Sequence, residues 1–189
     1  GMPGLDAQVI LCHLIQQERT YLIIHETEQL EEALLERYFS MIEKRAAGMP
    51  VQYITGRKEF MGLNLQVNED VLIPRADTET MVEYAIETLS QRKTGLGGSL
   101  SVLDLCCGSG AIGISIASFI PKAKVTATDI SEAALAVARA NAEEQKVKKQ
   151  MRFLQGDLFE PLKKKEQFDV IISNPPYIKT NTIDGLQKE

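Results

Sequence analysis

Asn174-Pro175-Pro176-Tyr177 stands directly after the apolar run Phe168–Ser173, so a rigid, acceptor-rich tetrapeptide follows a buried-strand signal. The pairing points to methyl transfer onto a planar nitrogen. An amide or exocyclic amino nitrogen is a poor nucleophile because its lone pair is delocalised. A catalyst must therefore hold the NH2 group with acceptors and aim the lone pair at a methyl donor. Asn174 offers a side-chain carbonyl and Pro175 a backbone carbonyl. Proline fixes its own φ, lacks a competing N–H and keeps the residue before it extended, so Pro175 and Pro176 present those acceptors with little freedom. Tyr177 adds a flat face for a planar group. The plainer alternative is an ordinary loop after a strand, since Asn and Pro are common turn residues.

A methyl donor needs its own site, and a second constellation supplies one. Val102-Leu103-Asp104-Leu105 runs into Cys106-Cys107-Gly108-Ser109-Gly110, which places a strand, an acid and a glycine turn immediately before a helix. The backbone of such a turn approaches a ligand closely. The next strand ends in Asp129, where a carboxylate beside the crevice can accept both hydroxyls of a ribose. After the third strand, Asp157 can receive an adenine amino group while Leu158 or Phe159 walls the ring. Three acids at three successive strand ends suit a neutral or positively charged nucleoside, and S-adenosylmethionine is such a ligand. A competing reading stays open, because Gly108, Gly110 and Gly113 also match the dinucleotide spacing, with Asp129 at about the expected distance. Against it, Asp104 stands next to where a pyrophosphate would sit, and Asn-Pro-Pro-Tyr has no role in hydride transfer. Asp104 and Asp129 could also be simple caps. Cys106 and Cys107 read as small residues in a crowded turn, without a partner base for nucleophilic work.

The surrounding pattern predicts how these groups are held. Leu5–Gln17 and Gln29–Ala47 carry helical spacing, the second with Leu34, Leu35, Tyr38, Phe39 and Ile42 on one stripe. Residues 50–56, the alternating Phe60–Val67 and Val71–Pro74 predict a β-hairpin linker. Asp77 caps a helix through about Gln91, and 94–99 is a glycine-rich loop. Strand and helix then alternate: Ser101–Asp104, Ala111–Phe119, Lys124–Thr128, a helix capped by Ser131 to about Gln145, Arg152–Gln155 and Phe168–Ser173. That order implies βαβ units and a mainly parallel sheet. Lys163–Lys165 is a solvated charge run. The expected domains are 1–48, helical; 49–75, hairpin linker; and 76–189, an α/β sheet domain.

Composition narrows the class further. A net charge of -5 and a pI near 5.2 offer no global basic field for phosphate backbones. The three cysteines, Cys12, Cys106 and Cys107, and the isolated His13 and His25 have no zinc spacing, so no metal site is expected. The longest apolar stretch, around Ala111–Ile120, is too short and too punctuated to span a bilayer. A cytoplasmic protein without a membrane or nucleic-acid partner is the expectation.

Four blocks resemble the peptide chain release factor glutamine methyltransferase family: Arg45–Gly56 around Pro50-Val51-Gln52-Tyr53; Glu59-Phe60-x-Gly62 leading to Ile73-Pro74-Arg75; Asp104–Ile112; and Ser173–Ile178. The tetrapeptide is shared with amino-methyltransferases acting on nucleobases, and the upstream blocks narrow the substrate. The resemblance implies a Rossmann-like class I methyltransferase sheet. A small helical domain that docks the release factor and a hairpin linker would precede it. The implied reaction methylates the side-chain amide of the glutamine in the Gly-Gly-Gln loop. By the same resemblance Asn174, Pro175, Pro176 and Tyr177 hold that amide and Phe60 and Arg75 line the cavity. Asp104, Cys106, Cys107, Gly108, Ser109, Gly110, Asp129, Asp157, Leu158 and Asn174 bind S-adenosylmethionine.

The chain departs from the family in places. Glycine usually stands at the position of Cys106 and threonine is common at that of Cys107, so Cys106 is expected to be extended, since φ > 0 would strain it. Ala76-Asp77-Thr78-Glu79 replaces a common Pro-Glu-Thr-Glu. Helices before Leu5 and strands after Tyr177 are missing relative to the family, which leads to an expectation of low activity and self-association. Three alternatives stand beside the leading reading: a nucleic-acid amino-methyltransferase, a NAD-dependent oxidoreductase and a non-catalytic binding fragment.

Overall fold

The computed structural model describes residues 3–92 and 98–175, so Pro176 and Tyr177 lie outside the described residues. The described chain forms two compact units, one up to Gly56 and one from Arg57 onward.

The first unit is helical: α1 (Pro3–Ile15), α2 (Arg19–Ile24), α3 (Glu32–Ala46) and α4 (Val51–Thr55). Ile10 is its fully buried anchor, and Arg45 Nε of α3 donates to Asp6 Oδ2 of α1 at 2.8 Å. The buried stripe of α3 is narrower than its spacing predicts. Leu34, Tyr38 and Ile42 are half-buried, whereas Leu35 and Phe39 face outward. Two short helices differ from the sequence reading. Nothing in the spacing pointed to α2, and α4 replaces an expected extended segment. Val51-Gln52-Tyr53-Ile54-Thr55 has strand-like composition, but Pro50 presets the entry and its carbonyl accepts from Tyr53 and Ile54 N–H at 3.1 and 3.2 Å. Gly56 then ends the turn at φ +68, a left-handed stop that glycine adopts without strain.

The second unit opens with an antiparallel hairpin, β1 (Arg57–Phe60) and β2 (Leu63–Gln66), in the register Phe60↔Leu63. Its two-residue turn, Met61-Gly62, has φ of +53 and +72, the geometry whose twist matches that of the flanking strands. Val71–Pro74 forms no strand. Asp77 is the first residue of α5 (Asp77–Gln91) and not its cap, a position held by Ala76. A carboxylate in the first turn still complements the helix dipole.

From there β3 (Leu100–Leu105), α6 (Ala111–Phe119), β4 (Ala123–Asp129), α7 (Glu132–Glu144), β5 (Met151–Gln155) and β6 (Val170–Ser173) build a parallel sheet in the order β5-β4-β3-β6. Ser131 caps α7, its Oγ accepting from Ala134 N–H at 3.2 Å. Val102, Leu103, Val125 and Ala127 on the two central strands are fully or almost fully buried, as expected of a parallel sheet covered on both faces. Residues 111–117 of α6 are all buried, so that helix is core throughout. The chain first runs outward from β3 through β4 to β5 and then returns to pair β6 on the other side of β3. That reversal lies between β3 and β6, and open α/β sheets bind ligands at such a point.

Candidate functional site

The residues singled out by chemistry converge on the carboxyl ends of β3, β4, β5 and β6. Parallel register sets Leu105 opposite both Thr128 and Ser173, and Asp129 opposite Gln155. The acid and glycine turn of β3 therefore leave the sheet directly beside Asn174.

The turn itself is tightly specified. Cys106, Gly108 and Gly110 have φ of +57, +53 and +78. Cys106 is thus left-handed and not extended, a correction with a clear cause. The chain must reverse immediately after β3 so that Cys107 N–H reaches the carbonyl of Thr128 at 3.0 Å. A side chain at such a φ costs roughly 1–2 kcal/mol. Gly110 N–H closes the turn on Cys107 O at 2.8 Å, and Ile114 N–H begins α6 by bonding Gly110 O. A methyl group at Gly110 would meet Ile114 Cδ1 at 2.9 Å and Ala138 Cβ at 3.0 Å, whereas one at Gly108 would meet nothing within 4 Å. Gly108 thus borders open space, and Gly110 is wedged against α6 and α7.

Three carboxylates surround this turn in different states. Asp129 Oδ2 accepts from Gly108 N–H at 2.9 Å and Oδ1 from Ser131 N–H at 3.0 Å. It therefore braces the turn and the start of α7 together, with further lone pairs left on both oxygens. Asp104 is completely buried; Oδ2 accepts from Gly113 N–H at 2.9 Å and Oδ1 has no partner among the described residues. Desolvation pushes its carboxyl up to about 7, with the Gly113 N–H opposing and the charge of Asp129 adding to the rise. Gly113 is required by this acid, because a Cβ there would stand 2.9 Å from Asp104 Oδ2. Asp157 is exposed, as are Leu158 and Phe159. Their loop is tied to β4 by Gly156 N–H to Asp129 O at 3.0 Å and Thr128 Oγ1 to Leu158 O at 3.3 Å.

Burial raises the thiol pKa of both Cys106 and Cys107, and nearby carboxylates raise it further. Both remain protonated and unreactive near neutral pH. Ser109 is buried, and its carbonyl accepts from Asn141 Nδ2 at 3.0 Å.

On the other side of the switch point, Asn174 is half-buried and Pro175 exposed. Ser173 Oγ donates to Leu105 O at 3.0 Å, and Asn174 Nδ2 donates to Thr78 Oγ1 of α5 at 3.4 Å. The amide nitrogen is therefore turned toward α5, and Oδ1 is the acceptor atom of the same amide. Two of the expected cavity residues behave differently from each other. Arg75 is exposed, but Phe60 has no exposed surface and belongs to the main core. Its ring is enclosed by the core cluster of the second unit. The hairpin turn is held by Glu79, whose Oε1 accepts from Met61 N–H at 2.8 Å.

Sequence reasoning missed Thr78, Glu79 and Asn141. A usable signal existed only for Asn141, which follows Leu135 and Ala138 at helical spacing and so falls on the buried face of α7.

Comparison with known proteins gives this geometry its relatives. The chain is 43% identical over 178 residues to the release factor glutamine methyltransferase of Bordetella pertussis, covering 94% of this chain and 63% of that protein. It is 42% identical over 184 residues to the protein of the same name from Moorella thermoacetica, covering 97% of this chain and 63% of the relative. The chain thus spans a little under two thirds of the length of the curated relatives it matches. Among solved structures, a SAM dependent methyltransferase from Agrobacterium tumefaciens superimposes with a TM-score of 0.54 at 17% identity, over 64% of this chain and 39% of that one. A human methyltransferase 10 domain containing protein gives 0.52 at 16% identity, over 75% and 64%. These two likenesses establish the Rossmann-like fold. The pattern of the PrmC N-terminal domain matches residues 1–56, ending where the first compact unit ends. The pattern of the second family covers residues 80–186, more than half of the sequence, and the chain belongs to the methyltransferase small domain family.

Proposed function

We propose that the Cys106–Gly110 turn carries S-adenosylmethionine and that the chain directs its methyl group to the side-chain amide of the glutamine in the Gly-Gly-Gln loop of a peptide chain release factor. The observation that carries this reading is the register Leu105↔Ser173 at the switch point, which sets the glycine turn and Asn174 side by side. The names of the relatives supply the substrate class.

The residues present fit a cationic nucleoside. Open space lies over Gly108, Asp129 retains acceptor capacity, and Asp104 Oδ1 is a buried acceptor without a donor among the described residues. Asp157 and Leu158, both exposed after β5, are the residues we assign to the adenine. A dinucleotide fits poorly, because the Gly108 N–H that would greet a pyrophosphate already serves Asp129, and two carboxylates would repel the phosphates.

When bound, the sulfonium supplies the methyl carbon, and the carbon–sulfur bond breaks with its electron pair going to sulfur. The work of this chain is positioning. Asn174 Oδ1 and the Pro175 carbonyl accept from the two N–H groups of the glutamine amide, turning its lone pair toward the methyl carbon. The resemblance assigns the amide plane to Tyr177. Once alkylated, the nitrogen loses a proton readily to water, so no side chain is assigned as a base. The helical segment 1–48 docks the release factor, in the cytoplasm where translation terminates.

The test separates orientation from binding. Asn174→Ala should lower kcat about a hundredfold while leaving affinity for S-adenosylhomocysteine within about twofold. Asn174→Asp, which keeps an acceptor oxygen, should lose less. An Ala variant that methylates a release factor at the parent rate would remove the basis for the proposal.

A further inference from the structure

Asn141 engages its whole side-chain amide in hydrogen bonds. It is completely buried in α7. Its Oδ1 accepts from Gln66 N–H at 2.6 Å, and its Nδ2 donates to Gln66 O at 2.9 Å and to Ser109 O at 3.0 Å. Both amide hydrogens and the carbonyl are thereby used. The orientation is fixed by the network, since a flipped amide would set Oδ1 against two carbonyl oxygens. The Ser109–Gly110 peptide is consequently gripped at both ends, its oxygen by Asn141 and its N–H by Cys107 O.

The neighbours of Asn141 on α7 do only half of this. Glu144 Oε2 accepts from Gln66 Nε2 at 2.7 Å and Oε1 from Arg57 Nη1 at 2.7 Å, while Gln145 Nε2 donates to Asn64 O at 2.9 Å. These three residues, at positions i, i+3 and i+4, clamp the hairpin to one face of α7. Of the three, Asn141 is also bonded to the glycine turn.

We infer that Asn141 is a positioning residue for the cofactor turn and that it couples the turn to the β1–β2 hairpin, so that a ligand on the turn also tightens the hairpin. The inference rests on the proposed cofactor reading. Its physical basis is that the Gln66 backbone, the Asn141 amide and the Ser109 carbonyl form one continuous chain of hydrogen bonds centred on a fully buried amide. Coupling of this kind is reciprocal: whatever loosens the hairpin end through Asn141 weakens the ligand end by the same factor.

The experiment combines calorimetric titration with S-adenosylhomocysteine and deuterium exchange of the segment Arg57–Gln66, with and without that ligand. In the parent chain, ligand should slow exchange of the segment. Asn141→Asp, which sets a charge against the Gln66 and Ser109 carbonyls, should weaken Kd about tenfold or more and abolish the protection. Glu144→Ala combined with Gln145→Ala should quicken hairpin exchange overall, yet leave Kd within about twofold and keep the response to ligand. An Asn141→Asp chain with a lowered Tm but the parent's Kd and protection would overturn the inference, leaving Asn141 a purely structural contact. Absence of protection in the parent at saturation would overturn it as well. If Asn141→Asp does not fold, Asn141→Ala is read by the same criteria. If the parent does not bind S-adenosylhomocysteine, the functional reading fails on its own. The tie is then judged by amide NMR without ligand: Gln66 and Gly110 resonances should shift together in the Asn141 variant, and movement of Gln66 alone would refute it.

Discussion

Raising the pH from about 4 to 7 should weaken this fold through Asp104, and Asp104→Asn should remove that component. The carboxyl is fully buried, has one N–H donor from Gly113 and, among the described residues, leaves Oδ1 unpartnered. Desolvation therefore dominates and moves its pKa from 3.8 to about 7. The folded state binds this proton more tightly than the unfolded chain does. Its contribution is fully present below about pH 4 and is lost progressively as pH rises through the folded value, with little further change above it. At 1.36 kcal/mol per pH unit, the interval from 3.8 to about 7 sets a ceiling of about 4 kcal/mol. That is a large share of the roughly 5–15 kcal/mol that stabilises an ordinary domain. Carboxylates held low oppose the trend. Glu144, hydrogen-bonded by Gln66 and paired with Arg57, has a lowered pKa and loses its contribution as pH falls. The informative quantity is therefore the difference between parent and variant. The amide of Asp104→Asn still accepts from Gly113 and never ionises. Urea unfolding followed by circular dichroism between pH 4 and 8 should show the variant gaining on the parent by a few kcal/mol as pH rises. Parallel stability profiles would refute the reasoning and place an unseen donor on Asp104 Oδ1.

Other perturbations probe the rest of the site. Gly110→Ala combines φ +78 with a 2.9 Å approach to Ile114 Cδ1, and denaturant unfolding should show a loss of about 2 kcal/mol or more; a neutral effect would mean that α6 gives way freely. Cys106→Gly should exceed Cys106→Ala in stability by about 0.5–1 kcal/mol, because relief of the left-handed strain outweighs the chain entropy of glycine. Equal midpoints would contradict the strain assigned to Cys106. Thr78→Val deletes the acceptor for Asn174 Nδ2 and should lower kcat several-fold to about tenfold without altering the Kd of S-adenosylhomocysteine, whereas Thr78→Ser should restore the rate. A parent-like Val variant would show that Asn174 needs no brace from α5.

The sheet domain was legible because its signals are local. β3, β4 and β5 are short runs separated by α6 and α7, of which α7 is capped by Ser131 and α6 is bounded by Gly110 in front and Pro121 behind. Gly108, Gly110 and the acids Asp104 and Asp129 could be placed at strand ends from spacing alone. The misreadings arose where a neighbour decides the conformation. Val51–Thr55 has β-branched composition, yet Pro50 and Gly56 close it into one helical turn. Cys106 adopts φ +57 because its successor must reach Thr128, a constraint set by the partner strand. The resemblance puts Phe60 in a cavity wall, whereas its ring is covered completely by the core. Asn141 pairs with Gln66 across 75 residues of sequence, and Thr78 meets Asn174 across 96. No periodicity within α7 or α5 encodes those meetings. They follow from which faces the sheet brings together.

The central claim is that Asn174 and the glycine turn act together to methylate an amide, and one measurement reaches it directly. A release factor incubated with this chain and methyl-labelled S-adenosylmethionine is digested, and the peptide containing the Gly-Gly-Gln loop is sequenced by mass spectrometry. The account predicts a single methyl group on the glutamine side-chain nitrogen, formed with the parent and strongly reduced with Asn174→Ala. Label on any other residue, label on nucleic acid in place of protein, or equal labelling by the Asn174→Ala variant would contradict it.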